Sequence, residues 1–205
     1  MKKMLIALTL VLAVATMAQA APILIDLGTA PPPAIIGGVI MTGFPPDGRP
    51  LFDVVTGVQS PFGGTVGFTP SADHRVIGGG WATWSHGYTG DVYYTLGATS
   101  MTLSMPAGTT SFRFYVEPNP FSVFSFTVSS GGTSGIFDID GSSGARGFAF
   151  IDPLGLGTIT ISSDVDFAFG EFGIAKNTDQ RVPEPGSSLV LLGLGLAGLA
   201  WRKRA

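Results

Sequence analysis

Apolar and polar residues alternate along most of the chain, in short runs separated by Gly, Pro, Asp and Ser. In residues 112–117, Phe112, Phe114 and Val116 would point to one face of an extended strand, and the residues between them to the other. This spacing is typical of β-strands, whereas an amphipathic helix repeats about every 3.6 residues. The alternation predicts further strands at residues 51–58, 92–96, 101–105, 124–128, 135–139, 145–151, 158–161 and 167–174.

One connection gives a first prediction of topology. Residues 112–117 and 124–128 are separated by the turn sequence Pro118-Asn119-Pro120, so we expect the two strands to be neighbours. Between the two ends of the chain, no segment shows the period of an amphipathic helix. Short, closely spaced strands favour an all-β fold, an antiparallel β-sandwich of jelly-roll type, with a β-barrel as the alternative.

Two stretches depart from regular alternation. In residues 167–174 the period of two breaks at Gly170, after which the apolar residues resume one position out of step. This break predicts a β-bulge. Residues 29–50 are rich in proline and glycine, and we expect them to form an irregular arm.

Residues 1–20 have the layout of a secretory signal peptide. Lys2 and Lys3 precede an apolar run that ends in small residues at Ala18 and Ala20, so cleavage is expected after Ala20. The run is shorter than the ~20 apolar residues that span a bilayer. We therefore expect export through the translocon, removal of the segment by signal peptidase, and an extracellular domain at residues 21–175.

The other end of the chain combines several elements in order. A polar linker at residues 176–181 is followed by a triplet whose two prolines disfavour a helix through it. The triplet is Pro183, Glu184 and Pro185. A short uncharged apolar run follows, and it ends in Trp201, Arg202, Lys203 and Arg204. A helix of this length is shorter than a bilayer core, and its aromatic and basic end suits the cytoplasmic interface, which predicts transient inner-membrane anchoring.

Residues 182–205 resemble the PEP-CTERM sorting signal of secreted proteins from Gram-negative and related bacteria. In that family a Pro-Glu-Pro triplet precedes a short hydrophobic helix and a basic end. The resemblance implies recognition, and processing near the triplet, by a membrane-embedded exosortase. It also implies delivery to the cell surface or extracellular matrix, near exopolysaccharide and biofilm machinery. It implies nothing about the activity of the domain that precedes it.

Charge separates the middle of the chain from its ends. The formal net charge is −3, but both ends are basic and residues 21–180 hold nearly all of the acidic residues. An acidic domain does not suit nucleic acid or an acidic lipid surface as a partner. The chain has no cysteine, which excludes disulfides, thiolate metal ligands and a cysteine nucleophile.

The densest group of aromatic side chains predicts a carbohydrate-binding site. The group extends from Trp81 to Tyr94. Its members are Trp81, Trp84, His86, Tyr88, Tyr93 and Tyr94, of which the first four are the candidate binding residues. Such rings stack on the apolar face of a sugar while their polar atoms form hydrogen bonds, and exopolysaccharide would be the partner. On one extended strand Trp81 and Trp84 would face opposite ways, so at least one is expected in the core. Ordinary packing of all four residues is the alternative.

Acidic residues suggest a calcium site as a further hypothesis. Asp138 and Asp140 would share one face of a strand that enters a glycine turn, and calcium accepts oxygen ligands from irregular loops. Asp152, Asp164 and Asp166 would add ligands if the fold brought them near. The sequence departs from the EF-hand pattern, and the alternative is a set of turn aspartates that accept backbone hydrogen bonds.

Catalysis has little support in the sequence. The chain lacks a G-x-S-x-G motif, and its only histidines are His74 and His86. Our leading hypothesis is a noncatalytic secreted structural or matrix protein that needs no cofactor. The first alternative is a carbohydrate-binding module that uses the aromatic group. The second is a polysaccharide hydrolase, which would need two carboxylates close together in a cleft.

Overall fold

The structure, a computed structural model, describes residues 21–176. The predicted signal peptide, all but the first residue of the predicted linker, and the predicted sorting signal lie outside the described residues. All regular secondary structure in the described part is β. The strands are β1 (Ile23–Gly28), β2 (Ile35–Ile36), β3 (Val39–Ile40), β4 (Thr42–Gly43), β5 (Val54–Gln59), β6 (Thr65–Ile77), β7 (Gly80–Trp81), β8 (Asp91–Tyr94), β9 (Ser100–Ser104), β10 (Thr109–Pro118), β11 (Val123–Ser130), β12 (Thr133–Asp140), β13 (Arg146–Ile151), β14 (Thr158–Ser163) and β15 (Phe167–Lys176).

Every strand predicted from the alternation is present, with its ends shifted by a few residues at most. The all-β prediction is therefore confirmed. The alternation missed β1 and the long strand β6, as well as the short strands β2, β3, β4 and β7. Residues 29–50 form the expected arm, whose only regular structure is a small β2–β3 hairpin and the two residues of β4.

The main sheet contains 13 strands in the order β1-β13-β10-β15-β8-β6-β9-β14-β11-β12, with β4 beside β15 and with β5 and β7 beside β6. Its strand pairs are antiparallel except for the short β6–β7 pair. The two edges approach each other, because Thr133 Oγ1 of β12 donates to the carbonyl of Pro22 beside β1 at 2.6 Å. The sheet is nearly closed into a barrel, an arrangement consistent with either predicted architecture.

The prediction that residues 112–117 and 124–128 are neighbouring strands is wrong. β10 pairs with β13 and β15, whereas β11 pairs with β12 and β14. The turn between them carries Pro118 and Pro120, which have no N–H to donate to a tight hairpin. The N–H of Asn119 donates instead to the carbonyl of Asp166 at 2.9 Å, so the chain crosses to the other side of the barrel.

Apolar side chains fill the interior of the barrel. Phe112, Phe114 and Val116 of β10 are completely buried there, as the alternation predicted. The predicted bulge in β15 is also confirmed. The pairing of β10 with β15 shifts register just after Gly170, and Glu171 adopts a left-handed backbone with φ of 53°. The bulge returns the apolar residues on both sides of it to the interior.

The outer surface of β10, β13 and β15 is covered by two other segments. The arm places Ile36 and Met41 against Ala149 and Ile151. The loop between β6 and β8 covers the neighbouring part of the same surface. All ten residues of β10 are therefore buried, on both faces of the strand.

Among residues 21–176, no helix is long and apolar enough to span a membrane.

Candidate functional site

The loop between β6 and β8 brings together the four residues of the predicted carbohydrate site. Within this loop, Gly80 and Trp81 are the only residues in a strand, and the chain turns back at Gly87, where φ is 75°. Because residues 82–90 are not extended as one strand, Trp81 and Trp84 both turn toward the sheet. They pack in one cluster with Tyr115 of β10, so the expectation of opposite orientations does not apply.

Trp81 is tied to Glu117 on the outer face of β10. Its Nε1 donates to Glu117 Oε2 at 2.7 Å, and Thr83 Oγ1 donates to Glu117 Oε1 at 3.2 Å. Glu117 is completely buried. Burial raises the pKa of Glu117 to about 7, although the hydrogen bonds from Trp81 and Thr83 act in the opposite direction. Glu117 is thus a buried acid whose charge changes near neutral pH.

Trp84 and His86 converge on a second acid, Glu171 at the bulge of β15. Trp84 Nε1 donates to Glu171 Oε2 at 3.1 Å, and His86 Nε2 forms a hydrogen bond with Glu171 Oε1 at 2.9 Å. The other ring nitrogen of His86 lies 3.1 Å from the carbonyl of Thr29. The left-handed backbone at Glu171 directs its carboxylate to the outer surface, where it fixes the loop to the sheet.

The predicted carbohydrate residues therefore lie close together, but their rings are occupied. Trp81 is 8% exposed and Trp84 is 5% exposed. Stacking on a sugar needs an accessible ring face, and neither tryptophan offers one. Tyr88 is half-buried, and its hydroxyl donates to the carbonyl of Asp91 at 3.1 Å. The geometry is that of a loop fastened to a sheet.

A cavity of about 580 Å³ opens between the arm and the barrel, and we call it the arm cavity. It contains three carboxylates and two guanidinium groups, and it is partly walled by aromatic rings. Its charged lining residues are Asp47, Arg49, Asp91, Arg113 and Glu171. None of these was predicted as a site residue, since each stands alone in the sequence without a recognisable motif.

Asp47 and Arg49 form an internal pair at the mouth of the arm cavity. Arg49 Nε donates to Asp47 Oδ1 at 2.8 Å, and the Tyr93 hydroxyl donates to Asp47 Oδ2 at 2.8 Å. Burial alone would raise the pKa of Asp47, but these hydrogen bonds outweigh it and hold the pKa at about 2. Asp47 is therefore ionised at neutral pH.

His74 holds the second carboxylate of the arm cavity. Its Nε2 lies 2.8 Å from Asp91 Oδ1, and its Nδ1 lies 3.0 Å from the carbonyl of Pro50. Burial would lower the pKa of His74, but the hydrogen bonds to Asp91 and Pro50 raise it above its ordinary value. With Glu171 held by Trp84 and His86, every carboxylate of the cavity has a protein partner.

Arg113 differs from the other charged residues of the arm cavity. It is 9% exposed, its Nε has no hydrogen-bond acceptor among residues 21–176, and the ion pairs found there do not include it. The side chain lies against Gly173, where a Cβ would collide with Nε, and beside Gly43. The two glycines leave the space that the guanidinium occupies. Burial lowers the pKa of Arg113, while the negative charge of Glu171 acts in the opposite direction.

The acids of the calcium hypothesis do not converge in the described part of the chain. Asp138 and Asp140 share the exposed face of β12, and Asp140 Oδ1 accepts a hydrogen bond from the N–H of Ser142 at 2.9 Å. Asp152 likewise binds the N–H of Leu154 within its own turn. No group of three or more His, Asp or Glu side chains that could hold a metal ion occurs in residues 21–176. Calcium binding at Asp138 and Asp140 stays a prediction.

A smaller cavity of about 370 Å³ lies beside Glu117, the one carboxylate among residues 21–176 that lines it. Glycoside hydrolysis by the usual route needs a pair of carboxylates. The arm cavity holds three carboxylates, each bound by a protein donor, whereas among the described residues Glu117 has no acidic partner in the smaller cavity. The hydrolase alternative stays a prediction.

The comparisons with known proteins concern the end of the chain. A family model of the PEP-CTERM protein-sorting motif matches residues 181–204, and the match includes all of the predicted sorting and membrane-flanking residues. The resemblance is therefore confirmed: the chain carries a PEP-CTERM motif, which indicates export and sorting to the cell surface by an exosortase. The matched residues, like the predicted cleavage site at Ala18 and Ala20, lie outside the part that the structure describes. The comparison with curated proteins finds no significant match.

Proposed function

We propose that this PEP-CTERM protein is a noncatalytic structural or matrix component that works in exopolysaccharide or biofilm outside the cell. The observation that carries the proposal is the order of the chain, in which an all-β domain precedes a sorting motif at residues 181–204. The motif indicates that the domain is exported from the cytoplasm. We further propose that residues 189–201 hold the protein in the inner membrane until an exosortase processes it.

The uncovered side of the barrel supports a role in a hydrated matrix. On β9, β14 and β11 the residues between the buried apolar positions are serine and threonine. Thr102 and Thr160 lie side by side on neighbouring strands, with their hydroxyl oxygens 3.5 Å apart. Such a surface offers many weak hydrogen-bonding groups and few charges, although Val123 of β11 and Ile136 of the neighbouring β12 are exposed on the same face. It suits contact with water and polysaccharide hydroxyl groups better than contact with an apolar partner.

The state of the buried acids supports the noncatalytic part of the proposal. Glu171 is held by Trp84 and His86, and Asp91 is held by His74. These hydrogen bonds give both acids a structural role, although each carboxylate keeps lone pairs for further donors. These side chains fasten loops to the sheet.

Processing is tested by measuring the intact mass of the protein in surface and membrane fractions of the producing cells. We expect the surface form to lack Trp201 and Arg204. A Glu184→Ala variant should keep its tail and remain in the membrane fraction, whereas Asp179→Ala, which removes an acid just before the matched region, should behave as wild type. A surface form that retains the tail, or normal processing of Glu184→Ala, would contradict exosortase processing.

The matrix role is tested by fractionation and by an activity assay. We expect the protein to sediment with extracellular matrix isolated from the producing cells. Incubated with that exopolysaccharide, the purified protein should release no new reducing ends. Recovery of the protein only as a free soluble species would contradict the matrix role, and release of reducing ends would contradict the noncatalytic assignment in favour of the hydrolase.

A further inference from the structure

We infer that the arm cavity is a binding site for a small sugar acid, whose carboxylate pairs with the guanidinium of Arg113. Nothing in the sorting motif or in the proposed matrix role requires such a site. The inference depends on the geometry around Arg113, and it holds or fails independently of the proposed function.

The first argument is the unpaired guanidinium. An arginine that is nine-tenths buried needs hydrogen-bond acceptors, because burying a charge without a partner is costly. Arg113 Nε has none among the described residues, although Glu171 lies near enough to influence its charge. The planar fork of a guanidinium matches a carboxylate, which can accept two parallel N–H bonds. Because Nε itself is sealed from solvent, a ligand carboxylate would pair with the two terminal nitrogens of Arg113, Nη1 and Nη2, which form no ion pair with the described residues.

The space around Arg113 supports a ligand more than a structural partner. Gly43 and Gly173 both lie under or beside the guanidinium, and a Cβ at Gly173 would collide with it. Gly43, Arg113 and Glu171 all line the arm cavity. The guanidinium therefore packs against the two glycines, and Arg113 lines a space of about 580 Å³. Cavities of this size, roughly 300–1,000 Å³, are typical of small-molecule sites.

The rest of the lining indicates the chemistry of the ligand body. Asp47, Asp91 and Glu171 each accept hydrogen bonds from the protein, but a carboxylate has lone pairs left for ligand hydroxyl groups. Phe44 and Phe172 supply an apolar wall, with ring centroids 5.6 Å apart. Hydroxyl donors and an apolar ring face in one small molecule describe a sugar. Three acids against two arginines disfavour a multiply charged anion such as phosphate.

Isothermal titration calorimetry tests the inference on the complete chain in a non-ionic detergent. The probes are sodium glucuronate, galacturonate and mannuronate, with glucose, acetate and inorganic phosphate as comparisons. We expect at least one hexuronate to bind, and glucose to bind at least about tenfold more weakly because it lacks the charge-assisted pair. Failure of all three hexuronates would overturn the inference. If glucose bound as tightly as the hexuronates, the ligand carboxylate would have no role. If acetate bound as tightly, the sugar ring would have no role. Tighter binding of phosphate would contradict the assignment of the ligand as a monoanion.

Variants locate the binding. Arg113→Gln should weaken hexuronate binding at least about tenfold. Arg146→Gln removes the same charge from the neighbouring strand β13, outside the cavity, and should bind as wild type. If Arg113→Gln does not fold, Arg113→Lys keeps the charge and most of the side-chain volume but loses the fork, and it should also bind more weakly. Wild-type affinity in a folded Arg113 variant would overturn the inference, as would an equal loss in Arg146→Gln.

The proposed matrix role and the proposed sugar-acid site are tested by different experiments. Fractionation of the producing cells tests where the protein resides, whereas calorimetry on purified protein tests the arm cavity. A matrix protein whose cavity binds no hexuronate would leave the proposed function standing. A hexuronate-binding protein found only as a free soluble species would leave the inference standing.

Discussion

The two faces of β10 are both buried, but they are built from different chemistry. The inner face presents Phe112 and Phe114 to other aromatic and aliphatic side chains of the barrel interior. The outer face presents Arg113, Tyr115 and Glu117 to the arm and to the loop between β6 and β8. One strand therefore supports an apolar core on one side and a set of polar, titratable contacts on the other.

The two faces differ in how specific their contacts with neighbouring residues must be. Apolar burial is non-directional, so many neighbours of suitable volume satisfy the inner face. Each polar group on the outer face needs a particular donor or acceptor at hydrogen-bond distance. Tyr115 obtains one from the carbonyl of Ala30 at 2.6 Å, and Glu117 from Trp81 and Thr83. Arg113 Nε obtains none in the described part of the chain, which sets Arg113 apart from Tyr115 and Glu117 on the same face.

The largest effect should follow from damaging the inner face. Phe114 is completely buried, and its ring centroid lies 5.9 Å from that of Phe148. Phe114→Ala removes the ring and leaves a cavity, so the free energy of unfolding in urea should fall by about 3–5 kcal/mol. Phe121→Ala is the matched control, because Phe121 is 66% exposed and its loss should change stability by less than about 0.5 kcal/mol. Comparable losses in the two variants would contradict the assignment of the inner face.

The inner face is also the part of the fold that could be predicted from the sequence. Alternation in residues 112–117 identified it because burial of one face repeats every second residue. Strand β6 was missed because Pro70 and the polar run from Asp73 to Arg75 interrupt the pattern. In that run, His74 is buried with its ring nitrogens bound to Asp91 and to the carbonyl of Pro50, whereas Asp73 pairs with Arg75 of the same strand. The pairing of β10 was mispredicted because a short turn does not reveal that the chain crosses the barrel.

The outer face could be predicted only in part. The sequence showed that aromatic residues gather near Trp81 and Trp84, and the structure does bring them together. Their orientation depends on Glu117 and Glu171, which lie far away in the sequence and follow no motif. The space around Arg113 likewise depends on glycines in two other segments of the chain. Contacts of this kind are set by tertiary structure, and no local pattern records them.

The second prediction is that the contribution of the outer face to stability depends on pH, whereas that of the apolar inner face does not. Burial raises the pKa of Glu117 to about 7 from an ordinary value of 4.5. The folded protein binds this proton more tightly than the unfolded chain does. Glu117 therefore contributes stability that is fully present below pH about 4.5 and is lost as the pH rises through about 7. Glu117→Gln stays neutral, so its free energy of unfolding relative to wild type should rise by on the order of 3 kcal/mol across this range.

The measurement is urea unfolding of both proteins at several pH values between about 4 and 8. Groups that titrate in both proteins, such as His74, cancel in the difference. Asp138→Asn is the matched control, because it removes an exposed carboxylate on β12 and should change the free energy of unfolding by less than about 0.5 kcal/mol. A flat difference for Glu117→Gln would show that Glu117 is not protonated in the folded protein near neutral pH.

A third, smaller effect compares the two tryptophans that fasten the loop to the sheet. Trp81→Phe keeps a ring but leaves Glu117 Oε2 without its indole donor, and it should cost about 1–3 kcal/mol in urea unfolding at pH 8. Both acids keep one other hydrogen bond, Glu117 from Thr83 and Glu171 from His86, but Trp84→Phe should cost less because Glu171 is less completely buried than Glu117. The cost of Trp81→Phe should shrink at pH 5, where Glu117 is protonated. Equal costs for both variants at both pH values would mean that ring volume, and not the buried acid, decides the stability of this face.

The smallest effect is expected where a charged pair of the same sheet is exposed to solvent. Arg146 Nε donates to Asp26 Oδ1 at 3.0 Å, and both side chains are about one-third exposed. Water screens such a pair, so Arg146→Gln should lower the free energy of unfolding by only about 0.2–1 kcal/mol, and by less in high salt.

Arg113→Gln removes the same charge from β10, but it also removes a buried charged group that lacks a hydrogen-bond partner in the described part of the chain. We therefore expect it to be neutral or stabilising in the absence of ligand. A large loss of stability in Arg113→Gln without ligand would show that Arg113 already has a structural partner, and it would remove the physical reason for a ligand in the arm cavity.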